Sequence, residues 1–151
     1  MNREIKFRAW DNKENKWVHV TTGKDMSKEE SDKNHFTVSV ACVFNGNSQC
    51  VIQQYTGLKD KNGVEIYEDD IVEDLLNEPS VVKFGSYMAG GTDYYASKAY
   101  GFYVQRLYKG EVIVEDDTET LRNCHTVIGN IYENNNLLSS LDKEIINPNK
   151  E

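Results

Sequence analysis

The stretch YTGLKDKNGVEIYEDDIV, residues 55–72, decides how this chain folds. Asp60-Lys61-Asn62-Gly63 lies between two strand-like pieces, and Asn-Gly supplies the positive-φ backbone that a tight reversal needs. The stretch therefore predicts a β-hairpin that turns on Asn62 and Gly63. Ile66, Ile71 and Val72 offer apolar anchors, which leaves the acids Glu68, Asp69 and Asp70 for the exposed side. Its approach is distinctive too, because His35 through Gln54 contains no Lys, Arg, Asp or Glu in a chain that is 28% charged. Such a segment reads as held inside, so the motif is a folding joint between an N-terminal sheet and a C-terminal barrel rather than an active site.

Working outward toward the N-terminus, Glu4 to Trp10 alternates with period two, placing Ile5, Phe7 and Ala9 on one face and Lys6, Arg8 and Trp10 on the other. A polar turn and the return strand Trp17–Val20 complete a hairpin across which the two tryptophans pack. Lys24 to Asn34 lacks an apolar period and reads as a loop with one helical turn near Ser27. Phe36–Phe44 and Cys50–Gln54 read as two strands joined through Asn45-Gly46-Asn47. Toward the C-terminus, Ser80–Phe84 is a short strand, and Gly101–Tyr108 with Glu111–Val114 forms a hairpin over Lys109-Gly110. Thr126–Tyr132 is a last strand, and Asn136–Leu141 is the best candidate for a short helix.

Many short strands separated by turn residues predict a mostly β fold of several small sheets with at most one or two short helices. The part after Asp70 is barrel-like, either a Src-homology-type barrel or an open sandwich. Residues 1–151 suit one domain, divisible into an N-terminal β subdomain 1–58 and a barrel-like subdomain 59–141, with a flexible tail 142–151.

The formal charge of −8 repels polyphosphate and anionic lipid at long range, which disfavours nonspecific nucleic-acid binding. That charge is uneven: residues 1–54 carry eight Lys/Arg against seven Asp/Glu, and residues 55–151 carry nine against eighteen. Glu65, Glu68, Asp69, Asp70, Glu73 and Asp74 form the densest cluster, to be read first as a solvated face and second as a docking patch for a basic partner. Three cysteines, Cys42, Cys50 and Cys124, make an odd count, and Met1 to Lys6 lacks the apolar core of a signal peptide. Both point to a reducing cytoplasm. No stretch is long and apolar enough to predict a membrane span.

Three pieces together carry a family resemblance: Ile5-Lys6-Phe7-Arg8-Ala9-Trp10 with Trp17-Val18, then Gln54 through Val72, then Val127-Ile128-Gly129-Asn130-Ile131-Tyr132-Glu133-Asn134. In this order the chain resembles the YopX family of bacteriophage and prophage proteins. One departure stands out, since the family usually has Gly where Asp69 stands. A glycine there suggests a positive-φ position, which Asp is among the few residues to tolerate. The resemblance implies a β-rich protein of a temperate phage or prophage in the bacterial host cytoplasm. It brings no established activity and no catalytic residues.

Read for chemistry, the sequence shows no catalytic constellation, and an enzyme is not expected. His125 beside Cys124, after Glu115, Asp116, Asp117 and Glu119, holds ligand types without zinc-site spacing, so no metal and no cofactor are expected. Gly85, Gly90 and Gly91 lack the Gly-Lys-Ser/Thr of a phosphate loop. Glu68 and Asp70 share a strand face, yet nothing in the sequence desolvates them as an acid–base pair.

The aromatic loop offers more. Tyr87, Met88, Tyr94, Tyr95, Tyr100, Phe102 and Tyr103, interleaved with Gly and Ser, make the mixture found in binding loops. The candidate partner-binding residues are accordingly Tyr87, Tyr94, Tyr95, Tyr100, Glu68, Asp69 and Asp70, against the plainer reading that the rings cover the core. The sequence thus predicts a non-enzymatic accessory protein that binds a host or phage protein, or associates into a homo-oligomer. The alternative is a nucleic-acid-associated factor that uses Arg3, Lys6 and Arg8 with the loop tyrosines.

Overall fold

The computed structural model describes residues 4–21, 37–39, 50–89, 97–108, 111–115 and 118–138. The chain forms two compact units, Met1–Tyr55 and Thr56–Glu151, and the architecture is mostly β, as the turn spacing predicts.

In the first unit β1 (Phe7–Asp11) pairs antiparallel with β2 (Lys16–Thr21), and Trp10 lies directly opposite Trp17. Their rings meet edge to face with centroids 5.1 Å apart, a favoured aromatic geometry. On the other face, Ala9 and Val18 are buried against the partly buried Cys50 and Ile52. Asp11 closes the turn, its Oδ1 accepting from the backbone nitrogens of Lys13 and Glu14 at 2.8 and 3.1 Å. Ile5, expected on the buried face, precedes the strand and is exposed.

A second expectation is corrected here. β3 (Thr37–Ser39) and β4 (Cys50–Lys59) do not form a hairpin with each other. β3 joins β2 in parallel, while β4 pairs antiparallel with β1, so the order is β3-β2-β1-β4. Local turn chemistry at Asn45-Gly46 suggested direct pairing; the strand register chose partners further away in sequence. Residues 40–49 lie outside the described residues.

β4 continues past Tyr55 into the second unit, where it returns as β5 (Glu65–Tyr67). This is the hairpin predicted from residues 55–72. Its turn is longer than a two-residue reversal: the Gly63 N–H donates to the Asp60 carbonyl at 2.9 Å and the Asp60 N–H to Val64 at 2.8 Å. Gly63 alone takes positive φ there, +85°, so this is a turn closed by one left-handed residue.

β6 (Asp70–Glu73), β7 (Pro79–Ala89), β8 (Ser97–Tyr108) and β9 (Glu111–Glu115) follow as an antiparallel meander. β10 (Thr126–Asn130) returns beside β6, giving the open order β10-β6-β7-β8-β9. Both faces of this sheet are covered. Val72, Val82 and Val104 join Ile66 and Leu121 on one face; Ile71 and Val81 join Ile131 and Leu138 on the other. The adjacent pairs Ile71-Val72 and Val81-Val82 split between the two clusters because successive strand side chains point oppositely. β10 does likewise, with Val127 in the first cluster and Ile128 in the second, and its register against β6 shifts between Val127 and Gly129.

Leu121 comes from a helix the sequence reading missed, α1 (Thr118–Cys124). Of the expected C-terminal helix Asn136–Leu141, residues 139–141 lie outside the described residues, and the described part holds a 3-10 turn, Asn135–Leu137. β7 and β8 also run far beyond the short strands predicted for them. The tyrosine-rich loop is therefore mostly a long hairpin.

Candidate functional site

The acids of the central motif are structural. Asp60 is buried; its Oδ1 accepts from the backbone nitrogens of Asn62 (2.8 Å) and Val64 (2.9 Å), and its Oδ2 from Val127 (3.0 Å). Asp70 is 1% exposed, taking the Tyr67 N–H on Oδ2 at 2.8 Å and the Asn130 side-chain amide on Oδ1 at 3.2 Å. Asp69 sits at φ +61°, the left-handed conformation that the glycine of related sequences implies. It too is buried, and its Oδ1 accepts from Lys83 Nζ at 2.9 Å. The expected exposed acidic face does not exist in that form. Asp70 turns inward to a backbone N–H and the Asn130 amide, Asp69 turns inward to the Lys83 ammonium, and of the three acids the half-buried Glu68 stays nearest the surface.

The predicted C-terminal motif meets the central one. Ile131 N–H donates to the Asp69 carbonyl at 3.1 Å, and Asn130 bridges Asp70 to the Tyr132 N–H. Gly129 has a steric reason: a Cβ there would stand 2.6 Å from Asn134 Oδ1, which accepts the Asn130 N–H. Asn62 and Gly63, read as structural turn residues, are both exposed.

The long β7–β8 hairpin carries two different aromatic faces. On one, Phe84 opposes Phe102, Ser86 opposes Tyr100 and Met88 opposes Lys98. This face begins in the core at Val82 and Val104, then runs outward. Phe84 is 38% exposed, Met88 57% and Tyr100 73%. Phe84 holds Tyr100 and Phe102 in ring contacts of 5.2 and 4.8 Å. The exposed stripe is thus supported from below by rings that are themselves anchored.

The opposite face is polar. Tyr87 and Tyr103 meet with centroids 5.0 Å apart, near the Lys83–Asp69 ion pair, whose side chains are both largely shielded. Burial, together with the Glu68 carboxylate, pushes the Tyr103 phenol up. Burial pushes Tyr132 much further, helped by the charges of Asp69 and Glu68 and a hydrogen bond to Asp69. Tyr87 and Tyr100 of the predicted binding set therefore fall on opposite faces, whereas Tyr94 and Tyr95 lie outside the described residues.

A further exposed apolar feature escaped the sequence reading. Leu75 and Leu76, 69% and 75% exposed, cap the β6–β7 turn. Asp74 Oδ1 holds this turn through the N–H groups of Leu76 (2.8 Å) and Glu78 (3.0 Å), and Arg106 clamps Asp74 and Glu78 at 3.2 and 2.6 Å. A Leu-Leu pair between acids, immediately before Asn-Glu-Pro, was the available signal.

In the first unit the cations of the basic strand are engaged. Arg8 donates to Gln53 Oε1 at 2.8 Å and stacks 4.4 Å above the Trp17 ring; Lys6 pairs with Glu4 at 3.3 Å and lies over Tyr55. Arg3 lies outside the described residues. His125 is buried, Cys124 ends α1, and among the described residues no group of three His, Cys, Asp or Glu gathers to hold a metal. Among the described residues no helix is long and apolar enough to cross a membrane.

A family model described as YopX protein matches residues 6–139. No curated protein matches the chain. Among solved structures, protein EF1440 from Enterococcus faecalis is 26% identical, covering 91% of this chain and 100% of its own, with a TM-score of 0.43.

Proposed function

The chain belongs to the YopX family, and we propose that it is a non-enzymatic protein-binding accessory factor of phage or prophage origin that acts in the bacterial cytoplasm. The observation that carries this reading is the exposed stripe of Phe84, Met88 and Tyr100 on the β7–β8 hairpin. Three large apolar side chains on one strand face, backed by core rings, form the type of patch that marks an interaction site rather than scattered surface hydrophobes. A rigid sheet also presents them at low entropic cost. The occupant is a host or phage protein with an apolar surface of its own. The engaged state of Lys6 and Arg8 weakens the nucleic-acid alternative, because these cations already have partners within the unit.

The test compares wild-type protein with Met88→Ser plus Tyr100→Ala in capture from lysogenic cells, with cross-linking to locate the contact. A protein that co-purifies stoichiometrically, cross-links beside the stripe and is lost from the double variant supports the reading. Capture that is indifferent to the double variant overturns it. Salt-sensitive retention of single-stranded DNA instead would favour the nucleic-acid reading.

A further inference from the structure

Asn62-Gly63, on which the central hairpin turns, is also a reactive pair. The main-chain nitrogen of a residue can attack the side-chain amide of an asparagine just before it, and glycine, with no Cβ beside that nitrogen, obstructs the approach least. Here the Gly63 nitrogen bonds to Asn62 Cγ and closes an imide ring. The Asn62 side-chain nitrogen leaves as ammonia, carrying the proton that the Gly63 nitrogen gives up. Water then opens the ring at either carbonyl, leaving aspartate or, where the main chain is rerouted through the side chain, isoaspartate. The reaction consumes water and releases ammonia, with no change of oxidation state. Because its partners are neighbours in the chain, geometry rather than encounter limits it. Among the described residues Asn62 is the one asparagine followed by glycine; Asn45-Gly46 lies outside them.

The fold both exposes this pair and restrains it. Asn62 and Gly63 face solvent, and a Cβ built on Gly63 would meet nothing within 4 Å, so there is room at the turn for the ring. Asp60 supplies the restraint. Its carbonyl accepts the Gly63 N–H at 2.9 Å, engaging the attacking nitrogen, and its Oδ1 accepts the Asn62 N–H at 2.8 Å. Ring closure needs the Gly63 bond to break and the peptide between the two residues to rotate. It therefore proceeds from an opened turn, at a rate that follows how often the turn opens.

We propose that Asn62 is a self-modification site, converted by water alone to isoaspartate and aspartate, and that Asp60 sets the pace of the conversion. The consequence reaches β10. Isoaspartate inserts an extra carbon into the main chain of a turn in which the Asp60 carboxylate spans the nitrogens of Asn62, Val64 and Val127 at 2.8, 2.9 and 3.0 Å. With that spacing changed, and a new carboxylate beside the buried one, the grip of the turn on the start of β10 loosens. Refolding does not reverse the change. The site is separate from the aromatic stripe and does not depend on the role assigned to it.

Peptide mapping by mass spectrometry tests the idea on the full chain, incubated at mildly alkaline pH either folded or in urea, with isoaspartate identified by enzymatic methylation. Folded wild type is deamidated at Asn62, mainly to isoaspartate, about tenfold more slowly than the urea-unfolded chain. Asp60→Ala, checked for folding by circular dichroism, recovers most of that factor. Asp60→Asn, equal in shape but uncharged, converts faster than folded wild type too and serves if the alanine variant does not fold. Converted wild type unfolds at lower urea than fresh protein. Asn62→Gln, which would have to close a larger ring, keeps its midpoint through the same incubation. The proposal fails if folded Asn62 is intact when the unfolded chain has fully converted, if folded and unfolded chains convert at one rate, or if neither Asp60 variant changes the folded rate. It fails also if the converted chain keeps its urea midpoint, or if Asn62→Gln loses stability at the pace of wild type.

Discussion

The Asp60 carboxylate reaches the backbone N–H of Val127, 67 residues away in sequence, at 3.0 Å. One side chain thus closes its own turn, through Asn62 and Val64, and fastens the start of β10 to that turn. Replacing Asp60 with Ala leaves three backbone donors without this acceptor. A loss of about 3 kcal/mol is expected, since bonds to a charged acceptor are among the stronger ones and buried unpaired donors are costly. Urea denaturation measures it, and a loss no larger than that of an exposed Lys→Ala control would refute the role.

Gly129 and Asn134 form a second tight contact. Gly129→Ala is expected to cost about 1–3 kcal/mol, because the new methyl group would have to displace Asn134 or shift β10. Pairing it with Asn134→Gly relieves the clash, so the double variant should be more stable than the sum of the single losses predicts. Additive losses in the thermodynamic cycle would show that the two positions do not meet.

At Gly63 there is space but not conformational freedom. A Cβ would touch nothing within 4 Å, yet φ is +85°. Gly63→Val should therefore destabilise by about 1–2 kcal/mol through backbone strain alone. An unchanged unfolding midpoint would remove the turn from its assigned place in the fold.

Asp74 makes the leucine turn sensitive to acid. Burial would raise its pKa, but the N–H groups of Glu78 and Leu76, then the charges of Arg106 and His125, outweigh it and hold the carboxyl below its ordinary value. A carboxyl depressed in the folded state stabilises fully above its unfolded pKa, about 3.9. That contribution disappears as pH falls through the folded value. Asp74→Asn should flatten the acid limb of the stability profile and speed amide exchange at Leu76; an acid limb identical to wild type would count against the assignment.

Tyr132 governs the alkaline side. Its raised phenol pKa means that the folded state keeps a proton the unfolded chain gives up, so stability is complete below about 10 and falls as pH rises beyond it. Tyr132→Phe should cost about 1 kcal/mol at neutral pH through the lost bond to Asp69, and should shallow the alkaline decline. Fluorescence-detected unfolding across alkaline pH distinguishes the two profiles.

The candidate surface was only partly legible. Tyr87 and Tyr100 were singled out as loop residues, but the strand register places them on opposite faces of one hairpin, one beside Lys83 and Tyr103 and the other among exposed apolar rings. Glycines and serines between the tyrosines resemble loop composition. The extended strands persist because the hairpin begins in the core, where Val82 and Val104 are buried. A leucine pair ordinarily signals burial, whereas Leu75 and Leu76 are exposed on a turn held by Asp74, Glu78 and Arg106.

By itself the sequence determined the features that depend on neighbours in the chain. These include the turn at Gly63, the tryptophan hairpin and the β8–β9 reversal. Each follows from backbone sterics or period-two alternation over a few residues. Tertiary structure alone decided that β4 lies beside β1, that β3 runs parallel to β2, and that two turns of helix supply Leu121 to the core. It also decided the fate of the acids. A carboxylate's chemistry does not say whether it will face water or an amide; for Asp60 and Asp70 that choice was made by Val127 and Asn130, residues brought near only when β10 paired with β6.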